Sequence, residues 1–202
     1  MPKKKIALTD EQLFESNIPR RFWTPSRADY FGDPKAIEAC EHYITNSKKA
    51  YQRGLGLFLR GLPDTGKTWL ICYVLRCLMA KKFSVYYTSL EEMTDRLFRP
   101  EAESFSAKFI EADFVALDAI NTVTGGTEAA FRKFVKLRAD NAMPVIAATS
   151  MTLEPQLIGD NDPFINSFKE PAQKLVSLSV PIDCSVNQFR IEKHYRKLKD
   201  GF

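Results

Sequence analysis

The stretch GLFLRGLPDTGKTWL, residues 56–70, joins an apolar run, a glycine-bounded loop and a second apolar segment. From Gly61 to Thr68 it fits the pattern G-x-x-x-x-G-K-[ST], typical of a loop that binds phosphate groups. A strand that enters such a loop and a helix that leaves it direct backbone N–H groups at an anion. The predicted contacts to the phosphates, and to a Mg²⁺ ion at the Thr68 hydroxyl, come from Gly61, Pro63, Asp64, Thr65, Gly66, Lys67, Thr68 and Trp69.

Asp64 is an acid in a loop that is expected to bind an anion. Aspartate tolerates the left-handed backbone conformation better than most residues. We therefore expect the loop to use Asp64 for its backbone geometry and to direct its carboxylate to solvent.

Apolar runs alternate with amphipathic segments along the rest of the chain. Strands are predicted at 56–61, 83–90, 111–120, 143–150 and 174–182, and helices after the loop and at 34–51, 90–98, 126–141 and 162–173. This alternation predicts an α/β fold, a five-stranded parallel sheet in an αβα sandwich. Residues 1–16 are predicted to form a flexible N-terminal arm, and residues 17–202 the core with a short basic C-terminal helix.

Composition limits the class of protein. The chain has 202 residues, of which 45% are hydrophobic, enough for one domain with a sizeable core. No apolar run approaches the roughly 18 residues that a membrane span requires. The four cysteines form no C-x-x-C pair, which favours buried, reduced thiols over a zinc site or disulfides, and hence a cytoplasmic location.

A second acid follows the apolar run of DFVALDAI, residues 113–120. Asp118, at the end of this predicted strand, fits the Walker B acid that holds Mg²⁺ beside a phosphate loop. The next residue, Ala119, has no proton acceptor, so the general base that hydrolytic relatives place there as glutamate is missing. Asp64 and Glu128 are the candidate substitutes, and slow turnover is expected.

Four segments together resemble the DnaC/DnaI/IstB group of AAA+ ATPases. They are NIPRRFW (17–23), GLGLFLRGLPDTGKTWL (54–70), FVALDAI (114–120) and MPVIAATSM (143–151). Members of this group load replicative helicases or assist transposases. The resemblance implies ATP bound at a subunit boundary, with Ile18, Phe22 and Trp23 beside the adenine. A hydrophobic brace against the sheet is the alternative role for these side chains, and the two roles are compatible. The resemblance also implies self-association into an oligomer or filament, and a lid domain that this chain lacks or reduces to one helix.

The resemblance also suggests roles for residues late in the chain. Ser150 stands at the sensor 1 position, where the family usually has asparagine. Lys174 stands where the arginine finger is found, and Arg190 matches the sensor 2 arginine. Lysine lacks the planar fork of arginine, so this substitution, like Ala119 and Ser150, lowers the expected rate of ATP hydrolysis.

Basic segments indicate a nucleic-acid partner, although the net charge is only +4. In similar proteins the segment after the second strand lines a DNA channel, so Arg96, Arg99 and Lys108 are candidate contacts to single-stranded DNA. The basic residues of 128–140 and of the tail 189–202 are further candidates. For each cluster the alternative is a solvated helix face.

Three functional hypotheses remain open at this point. The first is a AAA+ accessory ATPase of replication or transposition that engages DNA and a helicase or transposase. The second is a nucleotide-binding scaffold or regulator that has lost hydrolysis. The third is a small-molecule P-loop kinase, which is disfavoured because no arginine-rich lid segment follows the core strands.

Overall fold

A computed structural model describes residues 8–97, 107–108, 111–121, 124–151 and 163–184, without the side chains of 163–166 and 168–169. One sheet contains five strands: β1 (Gly56–Arg60), β2 (Val85–Ser89), β3 (Phe114–Asp118), β4 (Val145–Thr149) and β5 (Ser179–Asp183). Their order is β2-β3-β4-β1-β5, and every neighbouring pair is parallel. In such a sheet ligands bind outside the carboxyl ends of the strands, where the strand order reverses. Here that point lies between β1 and β4.

Helices connect the strands and cover both faces of the sheet. They are α1 (Asp10–Glu15), α2 (Pro34–Thr45), α3 (Ser47–Gln52), α4 (Lys67–Ala80), α5 (Leu90–Leu97), α6 (Gly125–Asp140) and α7 (Pro163–Ser177). Short 3₁₀ turns at Arg20–Phe22 and Arg27–Asp29 link α1 to α2. Within the described ranges, no helix is long and apolar enough to cross a membrane.

Alternate residues of each strand enter different cores. Leu57 and Leu59 of β1 pack with α2 and α4 in one cluster, whereas Phe58 packs with α5, α6 and α7 in the other. The same alternation holds in β3, where both faces are buried. Strands buried on both faces read as continuous apolar runs, which is why they were recognisable in the sequence. The predicted αβα sandwich with five parallel strands is confirmed, while the expected reduced lid lies outside the described residues.

Two predicted elements have boundaries that differ clearly from the structure. The strand predicted at 174–182 begins only at Ser179, because α7 continues to Ser177 and buries Ala172 and Leu175 against the core. The helix predicted at 34–51 is broken at Asn46, which ends α2 and begins α3.

The N-terminal segment also differs from the predicted arm. Within residues 8–16, α1 has a Thr9 capping box and buries Leu13, which is 3% exposed. The backbone N–H of Tyr87 donates to the carbonyl of Ser16 at 2.9 Å, so this segment pairs with the outer edge of β2. The prediction of a flexible arm is therefore wrong for residues 8–16, because they form a capped helix and pair with the edge of the sheet.

Arg138 is another departure, because its basic segment is expected to be exposed, either as a DNA contact or as a solvated helix face. Its side chain is fully buried and donates to the carbonyls of Ala112 (2.7 Å), Asp113 (3.0 Å) and Pro144 (2.8 Å). Burial lowers its pKa to about 10, against the opposing effect of Asp113. Arg138 thus satisfies backbone acceptors ahead of β3 and β4, a structural role that sequence periodicity does not reveal.

Candidate nucleotide-binding site

A cleft of about 480 Å³ opens at the carboxyl ends of β1, β3 and β4. Its walls come from the phosphate loop, from the residues after β3 and β4, and from the first 3₁₀ turn. The lining residues are Arg21, Phe22, Pro63, Asp64, Gly66, Lys67, Thr68, Trp69, Asp118, Ala119, Asn121, Ala148, Thr149 and Ser150. The structure therefore brings the loop and the predicted Walker B acid to one site.

The loop backbone explains its unusual residues. Asp64 has φ 64° and Gly66 has φ 90°, both in the left-handed region. Aspartate is one of the few side chains that adopt this conformation readily, and the Asp64 side chain is exposed. Gly61 is required for a different reason, since a Cβ there would overlap the carbonyl oxygen of Cys184. The acid at position 64 is thus compatible with a folded phosphate loop.

Lys67 lies at the floor of the cleft and is 7% exposed. Its Nζ donates to the carbonyls of Gly61 and Leu62, both at 2.7 Å, and to the Thr65 hydroxyl at 3.3 Å. Burial lowers the pKa of Lys67, and the negative groups around it, Asp118 among them, act in the opposite direction. The loop carbonyls therefore hold the ammonium beside the place where phosphates are expected.

Asp118 is 5% exposed and both of its oxygens are held. Oδ2 accepts a hydrogen bond from the Tyr87 hydroxyl at 2.9 Å, and Oδ1 accepts one from the backbone N–H of Ala119 at 2.8 Å. Burial raises the pKa of Tyr87 strongly, and the Asp118 charge raises it further, so the hydroxyl stays protonated and donates. Tyr87 was not singled out in the sequence, since its distance to Asp118 depends on the pairing of β2 with β3.

A magnesium ion fits this donor set. Thr68 and Asp118 present oxygen atoms to the same cleft, which are the ligands Mg²⁺ prefers, and phosphate oxygens and water complete its usual coordination. Across the described ranges, no three His, Cys, Asp or Glu side chains form a metal-binding group. Phosphate oxygens of a bound nucleotide would add ligands to the two protein oxygens.

Ala119 is exposed in the cleft and has φ 55°. Its methyl group offers no proton acceptor where a general base is expected. Of the two candidate substitutes, Asp64 lines the cleft. Glu128 does not: it pairs with Arg132 on α6 at 2.9 Å.

Comparison with known proteins yields matches of structure rather than of sequence. No protein-family model matches the chain, and no curated protein matches it significantly. The DnaC helicase loader superposes with a TM-score of 0.69, at 16% identity, over 82% of this chain and 99% of that one. DnaI superposes with a TM-score of 0.62, at 19% identity, over 82% of this chain and 90% of its own. The chain has the AAA+ fold of DnaC and DnaI.

AMPPCP-bound DnaA from Aquifex aeolicus superposes with a TM-score of 0.63, at 16% identity, over 91% of this chain. This chain spans 56% of that DnaA. Identities this low establish the AAA+ fold alone, and function has to be argued from the site.

The segment after β4, where sensor 1 is predicted, lines the same cleft as Asp118. Ser150 lines the cleft, and its backbone N–H donates to Asn121 Oδ1 at 2.6 Å. The Thr149 hydroxyl donates to the carbonyl of Ile120 at 2.7 Å. Asn121 and Thr149 thus join the segments after β3 and β4, and Asn121 adds a carboxamide to the cleft. Sequence reasoning missed Asn121, although its place three residues after Asp118 was a usable signal.

The two aromatic residues predicted beside the adenine, Phe22 and Trp23, lie in different grooves of the structure. Phe22 is 8% exposed and lines the cleft. Trp23 does not: its Nε1 donates to the carbonyl of Ile18 at 2.7 Å, and the Arg20 guanidinium lies 5.4 Å from its ring centroid. Consecutive residues of a 3₁₀ turn point in different directions, so the prediction for Trp23 is corrected.

Trp23 instead lines a second groove of about 610 Å³ along β2, which we call the β2 groove. It contains two of the predicted DNA contacts, Arg96 and Lys108, together with Phe14, Glu15, Arg20, Tyr86 and Glu92. Arg96 pairs with Glu92 at 2.6 Å, and the Lys108 ammonium lies 5.6 Å from the Tyr86 ring centroid.

Lys174 is not among the residues that line the cleft. Lys174 lies on α7, where its Nζ is 3.4 Å from Asp140 Oδ1, near the amino ends of β1 and β5. Arg99 and Arg190 lie outside the described residues.

Proposed function

We propose that this chain is an ATP-binding AAA+ accessory protein of DNA replication or transposition, similar to a helicase loader. The observation that carries the proposal is the convergence of Lys67, Thr68 and Asp118 on one cleft. A buried lysine, a hydroxyl and a carboxylate at the end of a neighbouring strand are the groups that a Mg-triphosphate requires. ATP is the proposed nucleotide because the site resembles that of AAA+ ATPases and DnaA of the same fold was solved with AMPPCP.

Hydrolysis by a single chain is proposed to be slow. Ala119 provides no base, and Ser150 is shorter than the asparagine usual at sensor 1. If the protein binds ATP without hydrolysing it, it would act as a scaffold or regulator. The exposed methyl group of Ala119, at the position expected for the general base, favours this second function. Measuring ATP turnover with and without single-stranded DNA separates the two. A DNA-stimulated rate supports an ATPase, whereas binding with no turnover under either condition supports a scaffold.

The site is proposed to be completed by a neighbouring copy. Lys174 lies at the amino ends of the strands, whereas the cleft lies at their carboxyl ends, five residues or about 17 Å away. Lys174 is therefore too far to act on its own nucleotide, and a role as the finger residue requires a head-to-tail contact. Such contacts repeat into rings or filaments.

Sizing the protein without nucleotide, with ADP and with ATP, each with and without single-stranded DNA, tests this assembly. The proposal expects a larger species with ATP and a further increase with DNA. A monomer under all six conditions would contradict it. Lys174→Ala is the matched variant, expected to bind ATP normally while losing any turnover that assembly stimulates.

The β2 groove is the proposed DNA contact. Three cations, Arg20, Arg96 and Lys108, lie among the aromatic rings of Phe14, Trp23 and Tyr86. Cations beside aromatic surfaces suit the phosphates and stacked bases of a single strand. Phe14 is 76% exposed, which leaves one ring open for stacking. The protein partner is proposed to be a replicative helicase or a transposase, on the strength of the AAA+ resemblance.

A salt titration of single-stranded DNA binding tests the groove. Replacing Arg96 and Lys108 together by glutamine should reduce the slope of log K against log salt by about 1.4, since each phosphate contact contributes about 0.7. The control replaces Lys133 and Lys136, two exposed lysines of α6, and changes the net charge equally. Equal effects of the two double variants would exclude the β2 groove as the DNA contact.

A further inference from the structure

Arg21 is a cation of the nucleotide cleft that the sequence motifs do not account for. It lines the cleft with Lys67 and Asp118, although it lies 46 residues before Lys67 in the chain. Its side chain is exposed, and within the described part of the chain it forms no ion pair with an acid. Its guanidinium lies 4.8 Å from the ring centroid of Phe22, which is itself buried in the cleft wall.

The contact with Phe22 holds this guanidinium over an aromatic ring. The ring face attracts the cation electrostatically, and the guanidinium N–H groups can still donate to an anion. Those donors match the spacing of two phosphate oxygens. Arg21 is therefore partly pre-organised to bind an anion that enters the cleft.

The lining of the cleft places Arg21 together with the groups expected to bind the phosphates. Arg21 shares this cleft of about 480 Å³ with Lys67, Thr68 and Asp118. If Thr68 and Asp118 held a Mg²⁺ ion, that ion would attract the outer phosphates of a nucleotide to their end of the cleft. Because one small cleft contains Arg21 and both of these oxygen ligands, we assign the terminal phosphate to Arg21.

We propose that Arg21 binds the terminal phosphate of ATP from within the same chain and so distinguishes ATP from ADP. The inference rests on the proposed nucleotide function and goes beyond it, since no motif assigns a role to this residue. A cation supplied in this way stabilises the triphosphate state even when no neighbouring copy is present. It also adds a positive charge to the cleft that contains Ala119 and Ser150, whose side chains are shorter than the glutamate and asparagine usual at these positions.

The test measures binding rather than turnover. Dissociation constants for Mg-ATPγS and Mg-ADP are determined by calorimetry for the wild type, Arg21→Ala, Arg21→Lys and Arg53→Ala. Arg53 is the matched control, because it is an exposed arginine that lines neither the nucleotide cleft nor the β2 groove. Thermal melting confirms that each variant is folded.

The expected result is a loss of about tenfold or more in ATPγS affinity for Arg21→Ala, as for a charge-assisted hydrogen bond, with ADP affinity changed by less than about twofold. Arg21→Lys should give an intermediate loss, and Arg53→Ala none. Equal losses for both nucleotides would place Arg21 on the base, ribose or inner phosphates and overturn the inference. Unchanged ATPγS affinity would overturn it as well. A wild type that binds neither nucleotide would contradict the proposed function itself.

Discussion

Ala119 is the residue at which the cleft departs most from a hydrolytic P-loop site. It is exposed beside Asp118, so a longer side chain there would reach the cleft without displacing the core. We expect Ala119→Glu to raise the ATPase rate at least tenfold, since a positioned general base contributes about 10²–10⁴. Steady-state phosphate release measures the effect.

Ala119→Gln is the control for this experiment. Glutamine has nearly the size of glutamate but no basic oxygen, so its rate should remain at the wild-type level. If the glutamate variant, the glutamine variant and the wild type had equal rates, position 119 would not be the place of the general base. The proposed role of Asp118 beside it would be contradicted as well.

Tyr87 is predicted to position Asp118 for the metal. Tyr87→Phe keeps the ring and removes the hydroxyl that donates to Oδ2 at 2.9 Å. Losing a partner of a metal-binding carboxylate typically costs about tenfold in metal affinity, so the Mg²⁺ concentration needed for half-maximal ATP binding should rise by that factor. Tyr86→Phe is the control, because Tyr86 packs on the opposite face of the sheet. Identical Mg²⁺ requirements for both variants would contradict a role for Tyr87.

Part of the site was predictable from sequence and part was not. Lys67, Thr68 and Asp118 stand at fixed positions in motifs, and the structure brings them together; their roles stay predictions. Arg21 and Tyr87 carry no motif, since each reaches the cleft only through tertiary packing of the N-terminal segment and β2. Trp23 was assigned to the wrong groove because sequence spacing does not determine the direction of a side chain in a 3₁₀ turn.

At the scale of elements, the phosphate loop combines an acid with a left-handed backbone. Asp64→Asn should preserve the conformation and remove the charge, which increases Mg-ATP affinity by about fivefold if the charge is worth about 1 kcal/mol at contact distance in water. Asp64→Ala removes the same charge but should destabilise the fold by about 1 kcal/mol, because alanine adopts φ 64° less readily. Calorimetry and urea unfolding measure the two effects. An asparagine variant with weaker ATP binding would show that the carboxylate assists the site.

Substitutions in helix α1 test whether the N-terminal segment is part of the core. Leu13 is 3% exposed and Phe14, its neighbour, is 76% exposed. Leu13→Ala should therefore reduce the free energy of unfolding by about 2–3 kcal/mol, whereas Phe14→Ala should change it by less than about 0.5 kcal/mol. If Leu13→Ala costs no more than Phe14→Ala in urea unfolding, the flexible arm predicted from sequence would be the better description.

The elements that were predicted best are those with the clearest burial pattern. β1 and β3 are buried on both faces, and their apolar runs located them to within a few residues. The segment 174–182 was harder, since its alternating apolar residues fit a strand throughout. The end of α7 is fixed instead by Ala172 and Leu175, which are buried one turn apart, and that contact is tertiary.

In the whole molecule, the proposed contact surfaces lie on different parts of one sheet. The cleft lies at the carboxyl ends of the strands, Lys174 lies at their amino ends, and the β2 groove lies along one edge. The segment of Arg20 to Trp23 separates cleft from groove, because Phe22 lines one and Trp23 the other. If the proposed function is correct, the nucleotide, a neighbouring copy and DNA would therefore bind to separate surfaces.

Calorimetric titration of Mg-ATP into the folded protein tests whether the cleft binds a nucleotide. We expect saturable heat with one nucleotide bound per chain. We also expect a loss of at least about tenfold in affinity for Lys67→Ala, since the buried ammonium would provide a charge-assisted contact to the phosphates. Absence of heat from a folded wild type, or equal affinity for a folded Lys67→Ala variant, would contradict the proposed nucleotide site.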